Sequence, residues 1–187
     1  ASNLAITEMT QTAPDSLYAI SKFAGEIMLG QAAAKSAVPL LILRPPMVYG
    51  PGDTAISYGP ARFIRSILEK GEVQVFGDGA ELRGYIHVQD LVRITLELVL
   101  GEQKGIFCLD SGKSYSFNEM ITHLRRISDK EFTVRFVARD RPRTDQRIDP
   151  SKLFKLLPDA SFVDFAVGLA QTYDYSAKKG LFTTAWA

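Results

Sequence analysis

The pattern of apolar and polar positions indicates alternating helices and strands along this 187-residue chain. Residues 17–36 follow the N-cap residues Asp15 and Ser16 and repeat apolar side chains on a helical period, which predicts a helix. Residues 38–43 form a short, continuously apolar run, which is typical of a buried parallel strand. The Pro- and Gly-rich stretch over residues 44–60 predicts a long loop.

The same alternation continues through the rest of the chain. The pattern predicts helices over residues 61–70, 89–100, 116–128, 150–157 and 164–179, strands over residues 73–76, 85–88, 105–109 and 132–137, a charged loop over residues 139–149 and a loose tail from residue 180. Ser116, with Glu119 three residues later, has the spacing of a capping box. Strands that alternate with helices indicate an α/β architecture.

Composition narrows the class of protein. Lys+Arg is 22 and Asp+Glu is 21, so the net charge of +1 gives no reason to expect a nucleic-acid or membrane partner. The single cysteine, Cys108, excludes an internal disulfide and fits a reducing compartment. No apolar run reaches the roughly 20 residues that cross a bilayer. We therefore expect a cytoplasmic protein, and the loop-like start without Met suggests that an earlier portion is absent.

Tyr18 and Lys22 are the first candidates for chemistry. Residues four apart share one side of a helix, so the phenol and the ammonium are expected side by side. A free tyrosine ionises near pH ~10, and a neighbouring ammonium favours the phenolate. Such a pair can remove a proton from a hydroxyl group. From spacing alone, an ordinary solvent-facing Tyr/Lys pair remains the alternative.

Two other patterns do not indicate a site. The stretch Gly77-Asp78-Gly79 follows a predicted strand but leads into another strand, whereas a dinucleotide-binding loop must open a helix. His87 and His123 lie far apart without nearby Cys or carboxylate spacing, so no metal site is predicted.

Four stretches resemble successive motifs of the extended short-chain dehydrogenases, the NAD-dependent epimerase/dehydratase family. They are SLYAISKFAGE (16–26), LLILRPPMVYGPGD (40–53), VFGDGAELRGYIHVQDLV (75–92) and DPSKLFKLL (149–157). They occur in the family's order and resemble its Tyr-x-x-x-Lys, Arg-x-x-x-Val-Tyr-Gly-Pro, Arg-Asp-Tyr-Ile-His-Val and Asp-x-x-Lys segments. The chain thus resembles the C-terminal portion of such an enzyme.

The resemblance implies a fold and a division of the chain into domains. Residues 1–46 would be the remnant of a doubly wound, Rossmann-type parallel sheet. Residues 47–180 would form a smaller α/β substrate-binding lobe, with the 105–109 strand possibly returning to the Rossmann sheet, and residues 181–187 a tail. The N-terminal dinucleotide-binding half, with its Gly-rich fingerprint and a catalytic Ser or Thr, would be absent. We therefore expect this chain alone to be inactive and to bind NAD weakly.

The resemblance also implies roles for individual residues. Tyr18 would be the catalytic base and acid, and Lys22 would hold the ribose of the cofactor, which is NAD or possibly NADP. Pro45, Pro46 and Val48 would line the nicotinamide.

The substrate residues implied by the resemblance are mainly arginines. Arg83 would bind the diphosphate of a nucleotide sugar, with Arg141 as the second arginine and Arg143 as its alternative. Forked, charge-assisted hydrogen bonds make arginine suited to phosphate oxygens. Gln74 and Phe76 would contact the nucleotide base. Without the resemblance, these arginines would be read as solvated side chains.

The function implied is oxidation of a sugar carbon by hydride transfer to NAD, followed by re-reduction (epimerisation) or dehydration. A homodimer through the helix over residues 16–36 is expected. Met47 replaces an Asn common in sugar epimerases, and Gly84 replaces the usual Asp after Arg83. These departures limit what can be said of the substrate. Two alternatives stay open: an NADPH-dependent ketone reductase of the same superfamily, and a non-catalytic sugar-nucleotide-binding or scaffold remnant.

Overall fold

The computed structural model describes residues 5–54 and 59–179, in which short strands alternate with helices. The helices are α1 (Leu17–Ser36), α2 (Gly59–Lys70), α3 (Val88–Leu100), α4 (Phe117–Ile127), α5 (Ser151–Leu156) and α6 (Phe165–Lys179). The strands are β1 (Leu41–Arg44), β2 (Met47–Tyr49), β3 (Glu72–Phe76), β4 (Leu82–His87), β5 (Gly105–Cys108), β6 (Ser114–Ser116) and β7 (Thr133–Val137). The predicted α/β class is confirmed.

Strand pairing is mostly parallel. β1 pairs with β5, β2 with β4, and β3 with β7, each in parallel register. β6 adds to the other side of β4 in antiparallel register. Parallel neighbours need long crossover connections, so residues far apart in sequence, such as Arg44 and Cys108, lie directly opposite each other.

Two short strands lie where the sequence pattern gave none. β2 lies inside the predicted loop over residues 44–60, so that prediction is wrong for Met47–Tyr49. The backbone between Pro46 and Gly50 is extended because β4 supplies its hydrogen-bonding partner. β6 is likewise a three-residue strand formed against β4. The predicted tail over residues 180–187 lies outside the described residues.

Two apolar clusters hold the elements together. The first packs α2, α4 and α6 against β3 and β4, and the second packs α3 and α5 against β1 and β5. Fully buried members are Ile64, Ile67, Met120, Leu124 and Leu169 in the first cluster, and Ile94, Leu98, Leu109 and Leu153 in the second. None of the helices in residues 5–54 and 59–179 combines the length and the apolar character that a membrane span needs.

Local capping interactions set the helix starts as predicted. The Ser16 hydroxyl accepts a hydrogen bond from the Ala19 amide at 3.2 Å and begins α1. At α4 the Ser116 hydroxyl accepts from the Glu119 amide (3.1 Å) while the Glu119 carboxylate accepts from the Ser116 amide (2.7 Å), which is the predicted capping box.

Helix α1 is attached to the fold by polar rather than apolar contacts. It has no buried residue, and Leu17 and Met28 are 87% and 70% exposed. Its Glu26 carboxylate accepts two hydrogen bonds from Arg44 at the end of β1, from Nε at 3.0 Å and from Nη2 at 2.5 Å. This forked ion pair joins the first two family-like motifs and connects α1 to the β1–β5 pair.

The segment before α1 is also attached to a distant loop. Ile6 forms a parallel β-bridge with Ile148. The Ile6 amide donates to the Arg147 carbonyl at 2.6 Å, and the Asp149 amide donates to the Ile6 carbonyl at 2.9 Å. The Glu8 carboxylate then accepts from the Cys108 amide at 2.8 Å.

Loss of the Glu26–Arg44 pair should loosen α1 selectively. A Glu26→Gln variant removes the charge of a half-buried, forked pair, and hydrogen bonds to charged groups contribute roughly 1.5–3 kcal/mol. We expect faster amide hydrogen exchange throughout α1 with little change in α2 and α4. Glu69→Gln is the control, because Glu69 pairs with Arg65 inside α2 and this pair does not involve α1. Equal exchange in α1 for both variants would contradict this assignment.

Candidate active site

Tyr18 and Lys22 lie side by side on an open side of α1. The Lys22 ammonium is 5.4 Å from the centre of the Tyr18 ring, and the Tyr18 side chain is 72% exposed. Among the described residues, neither the Tyr18 hydroxyl nor the Lys22 ammonium has a hydrogen-bonding partner. Both polar groups are therefore available to a ligand, as a ribose and a reacting hydroxyl group would require.

The residues assigned to the nicotinamide follow β1. Pro45 is exposed and Pro46 is half-buried. Val48, in β2, packs instead against the second apolar cluster. The structure thus leaves Pro45 accessible at the carboxyl end of β1 and turns Val48 towards the interior.

Asp110 is a buried carboxyl group at the same edge of the fold that sequence reasoning missed. It lies two residues after the end of β5 and is 0% exposed. Its Oδ1 accepts from the Gly112 amide at 2.6 Å, whereas its Oδ2 has no hydrogen-bonding partner among the described residues. Burial raises the pKa of Asp110 from the ordinary 3.8 to about 7. A polar residue directly after the predicted strand over residues 105–109 was the available signal.

Asp110 leaves no room for a side chain at position 84, where this chain has glycine. A Cβ at position 84 would overlap Asp110 Oδ2 and come within 3.0 Å of Pro46 Cβ. The Asp that the family usually has at position 84 would therefore meet the Asp110 carboxyl group. The departure from the family pattern at Gly84 has a physical reason in this chain.

Three arginines line one cavity of about 780 Å³, which is within the size range of small-molecule sites. They are Arg83, Arg139 and Arg141, and Phe76 lines the same cavity. Asp15, three residues before Tyr18, also lies on its wall. The cavity therefore brings the start of α1 next to the arginines that precede and follow β7 in the chain.

The two alternative arginines of the charged loop have different surroundings in the structure. Arg141 lines the cavity and has no ion-pair partner among the described residues. Arg143 lies outside the cavity lining and forms a forked pair with Asp145, with both distances 2.9 Å. This geometry favours Arg141 as the partner of Arg83.

The two side chains assigned to the nucleotide base differ in position. Phe76 is 47% exposed at the cavity wall, with the Arg62 guanidinium 5.4 Å from its ring centre. Gln74 lies outside the cavity lining, and its Oε1 accepts a hydrogen bond from Arg135 at 3.1 Å. The cavity thus contains the aromatic ring but not the amide.

Arg139 and Glu81 are further members of the cavity that sequence reasoning left out. The side chains of both are mostly buried, at 17% and 13% exposed. Glu81 Oε2 lies 3.4 Å from Arg139 Nη1, and Glu81 Oε1 accepts from Arg83 Nη2 at 2.6 Å. The alternation of arginines at positions 139, 141 and 143 was the only signal for Arg139.

Tyr49 and His87, on β2 and β4, are buried. Tyr49 is 2% exposed and packs edge-on against Tyr85 and Phe165. Burial raises the pKa of Tyr49, so its phenol stays neutral. Burial also lowers the pKa of His87, whose Nδ1 accepts from the Gln89 amide at the start of α3.

The Gly77–Gly79 stretch is a turn between two strands. Both glycines have positive φ, 74° and 73°, and the Ala80 amide donates to the Asp78 carboxylate within the turn. A helix does not follow, so these glycines are not a dinucleotide-binding loop.

The α/β fold, with parallel strands and an exposed Tyr-x-x-x-Lys helix, defines a protein of the short-chain dehydrogenase class. The family model for "NAD dependent epimerase/dehydratase family" matches residues 2–107. The chain therefore belongs to the NAD-dependent epimerase/dehydratase family, as the four motifs indicated.

Curated relatives of this chain act on nucleotide sugars. It is 40% identical over 91 residues to a dTDP-4-dehydro-6-deoxy-D-allose reductase of Streptomyces bikiniensis, covering 46% of this chain and 27% of the reductase. It is 27% identical over 169 residues to a dTDP-glucose 4,6-dehydratase of Streptomyces griseus, covering 89% of this chain and 51% of the dehydratase. The chain thus spans between about a quarter and a half of these relatives.

The fold matches solved structures over its whole length. A UDP-glucuronic acid 4-epimerase from Bacillus cereus in complex with NAD superimposes with a TM-score of 0.84 at 26% identity, covering 100% of this chain and 58% of the epimerase. The Rossmann-like fold class expected from the motifs is confirmed.

The raised pKa of Asp110 should make stability depend on pH. Between pH ~4 and ~7 the folded chain holds a proton on Asp110 that the unfolded chain releases, so the contribution of Asp110 to the free energy of unfolding falls as pH rises. We expect the free energy of unfolding of an Asp110→Asn variant, relative to that of the unmodified chain, to be higher at pH 7 than at pH 5. Urea unfolding at both pH values measures this, and a pH-independent difference would contradict it.

Proposed function

We propose that this chain carries the catalytic helix and the substrate cavity of an NAD-dependent enzyme that acts on a nucleoside-diphosphate sugar. The observation that supports this most strongly is the arginine cavity beside the start of α1. Asp15 lies on the cavity wall with Arg83 and Arg141, and Tyr18 follows Asp15 by about one helical turn. A diphosphate held by the arginines would leave its sugar directed towards Tyr18 and Lys22.

The arginines would hold the substrate by charge and by geometry. Arg83 is fixed by its contacts with the Leu82 and Thr144 carbonyls, and the unpaired Arg141 offers a second guanidinium from the facing loop. Two guanidiniums can form forked hydrogen bonds to a diphosphate. The exposed ring of Phe76 would stack against the nucleotide base.

The proton chemistry would belong to Tyr18. Bound NAD supplies a hydride acceptor at the sugar carbon. The Tyr18 phenolate accepts the proton of the hydroxyl on that carbon, and the phenol returns a proton when the carbonyl is reduced again. Lys22, whose ammonium lies 5.4 Å from the centre of the Tyr18 ring, would donate hydrogen bonds to the ribose of the cofactor.

The rest of the cofactor site is proposed to lie outside these 187 residues. The chain covers about half of the full-length relatives, and the described residues contain no Gly-rich loop that opens a helix. We therefore propose that this chain alone neither binds NAD tightly nor turns over substrate.

In this proposal residues 1–46 belong to the cofactor domain and residues 47–180 mainly to the substrate lobe. The exposed apolar side chains of α1 would be covered in a homodimer of a cytoplasmic enzyme.

Three relatives of this chain are named for three different reactions, and the proposal concerns the steps these reactions share. Relatives of this chain are a reductase, a dehydratase and an epimerase. The reductase is a specific reason to keep reduction of a keto sugar as a second candidate, because its matched part is 40% identical to this chain. In each case Tyr18 exchanges the hydroxyl proton.

Removal of the Tyr18 hydroxyl should abolish turnover without preventing substrate binding. In the complete protein, Tyr18→Phe should lose about 10²–10⁴-fold in kcat, the usual range for a general acid–base group, with an unchanged Kd for UDP-sugar or dTDP-sugar. Tyr173→Phe is the matched control. Tyr173 lies on α6 rather than α1, and its hydroxyl donates to Asp129 at 2.6 Å. Retained turnover in Tyr18→Phe would remove the proposed mechanism.

The two loop arginines should differ in nucleotide binding. Arg141→Ala in the 187-residue chain should weaken the binding of UDP or dTDP roughly tenfold or more, because it loses charge-assisted hydrogen bonds of about 1.5–3 kcal/mol. Arg143→Ala should change the Kd less than about twofold, because Arg143 pairs with Asp145 outside the cavity. Isothermal titration measures both, and a larger effect at Arg143 would reverse the assignment.

A further inference from the structure

The arginine cavity contains its own counter-ion. Glu81 lies between the guanidiniums of Arg83 and Arg139, 2.6 Å from Nη2 of the first and 3.4 Å from Nη1 of the second. We infer that the Glu81 carboxylate is an internal competitor of the bound diphosphate and sets the affinity of the cavity for it. This inference rests on the proposed function, because it assigns the ligand of the same cavity.

The geometry supports competition between two anions. The two oxygens of Glu81 face two different arginines, as two oxygens of a diphosphate would. Glu81 Oε1 also accepts from the Thr144 amide at 3.1 Å. Arg139 Nη1 is buried and makes no hydrogen bond among the described residues, so its pairing with Glu81 is electrostatic only. A phosphate oxygen would give that nitrogen an acceptor.

The arginines keep their positions through other contacts. Arg83 Nη1 donates to the Leu82 carbonyl at 2.9 Å and to the Thr144 carbonyl. Arg139 Nη2 donates to the Phe76 carbonyl at 3.3 Å, and its guanidinium packs closely over Gly77. Since the backbone already holds both guanidiniums, the main contribution of Glu81 is its negative charge.

The remaining acidic groups of the cavity are less well placed to compete. Asp15 and Asp140 line the cavity but are exposed to water, where charges are strongly screened. Asp78 lies 3.9 Å from Arg139 Nη2 with its side chain 68% exposed. Among these described groups Glu81 is the least exposed carboxylate, with its side chain 13% exposed, so its charge acts through a lower effective dielectric than the others.

The test is the affinity of a Glu81→Gln variant of the 187-residue chain for UDP and for inorganic pyrophosphate. The amide keeps the size of the side chain and one acceptor oxygen but removes the charge. We expect binding about tenfold tighter than in the unmodified chain, equivalent to about 1.4 kcal/mol. We also expect a lower Tm without ligand and a larger rise in Tm on adding UDP, because the arginines lose their internal partner.

A matched control separates this effect from a general loss of negative charge. Glu72→Gln makes the same change at a carboxylate that pairs with Arg135 at 3.2 Å on the exposed β3–β7 pair. Its UDP affinity should equal that of the unmodified chain. Equal tightening in both variants would overturn the inference, because the effect would then come from net charge.

The outcomes distinguish the inference from the proposed function. If the unmodified chain binds UDP and Glu81→Gln binds it equally or more weakly, Glu81 is not a competitor and the nucleotide site stands. If only the Glu81→Gln variant binds UDP, both the nucleotide site and the inference about Glu81 are supported. If neither chain binds UDP or pyrophosphate, the nucleotide site and the inference fail together.

Discussion

The forked ion pair between Glu26 and Arg44 is the interaction on which the geometry of the site depends. Helix α1 buries none of its residues in this chain, so apolar packing does not determine how it lies against the sheet. A planar guanidinium that meets both oxygens of a carboxylate allows little rotation. This pair therefore ties α1, with Tyr18 and Lys22, to the end of the strand that leads into Pro45 and Pro46.

The sequence was most informative where structure is local. Helix α1 and the capping box at Ser116 were predicted because their hydrogen bonds join residues three or four apart. The short strands β2 and β6 were not predicted, because each consists of three residues whose extended form depends on β4. Pattern rules need a longer run of residues to indicate a strand.

The same distinction holds for the candidate site. Contacts between residues close in sequence could be predicted, whereas contacts that depend on the folded chain could not. Spacing along a helix placed Tyr18 beside Lys22, and the structure has them adjacent. The resemblance preferred Arg141 to Arg143, but the difference in their surroundings depends on tertiary structure, because Asp145 pairs with Arg143 while Arg141 lines the cavity. Asp110 and Glu81 were missed for a related reason. Their burial is created by loops and strands that come together only in the folded chain.

The parallel bridge between Ile6 and Ile148 connects the two halves of the site mechanically. The backbone at Ile6, in the segment that precedes α1, is hydrogen-bonded to the end of the loop that carries the cavity arginines. A displacement of that loop when a ligand enters would pull on the segment leading into the Tyr18 helix. The bridge therefore gives the loop of the cavity arginines a main-chain connection to the segment that leads into the Tyr18 helix.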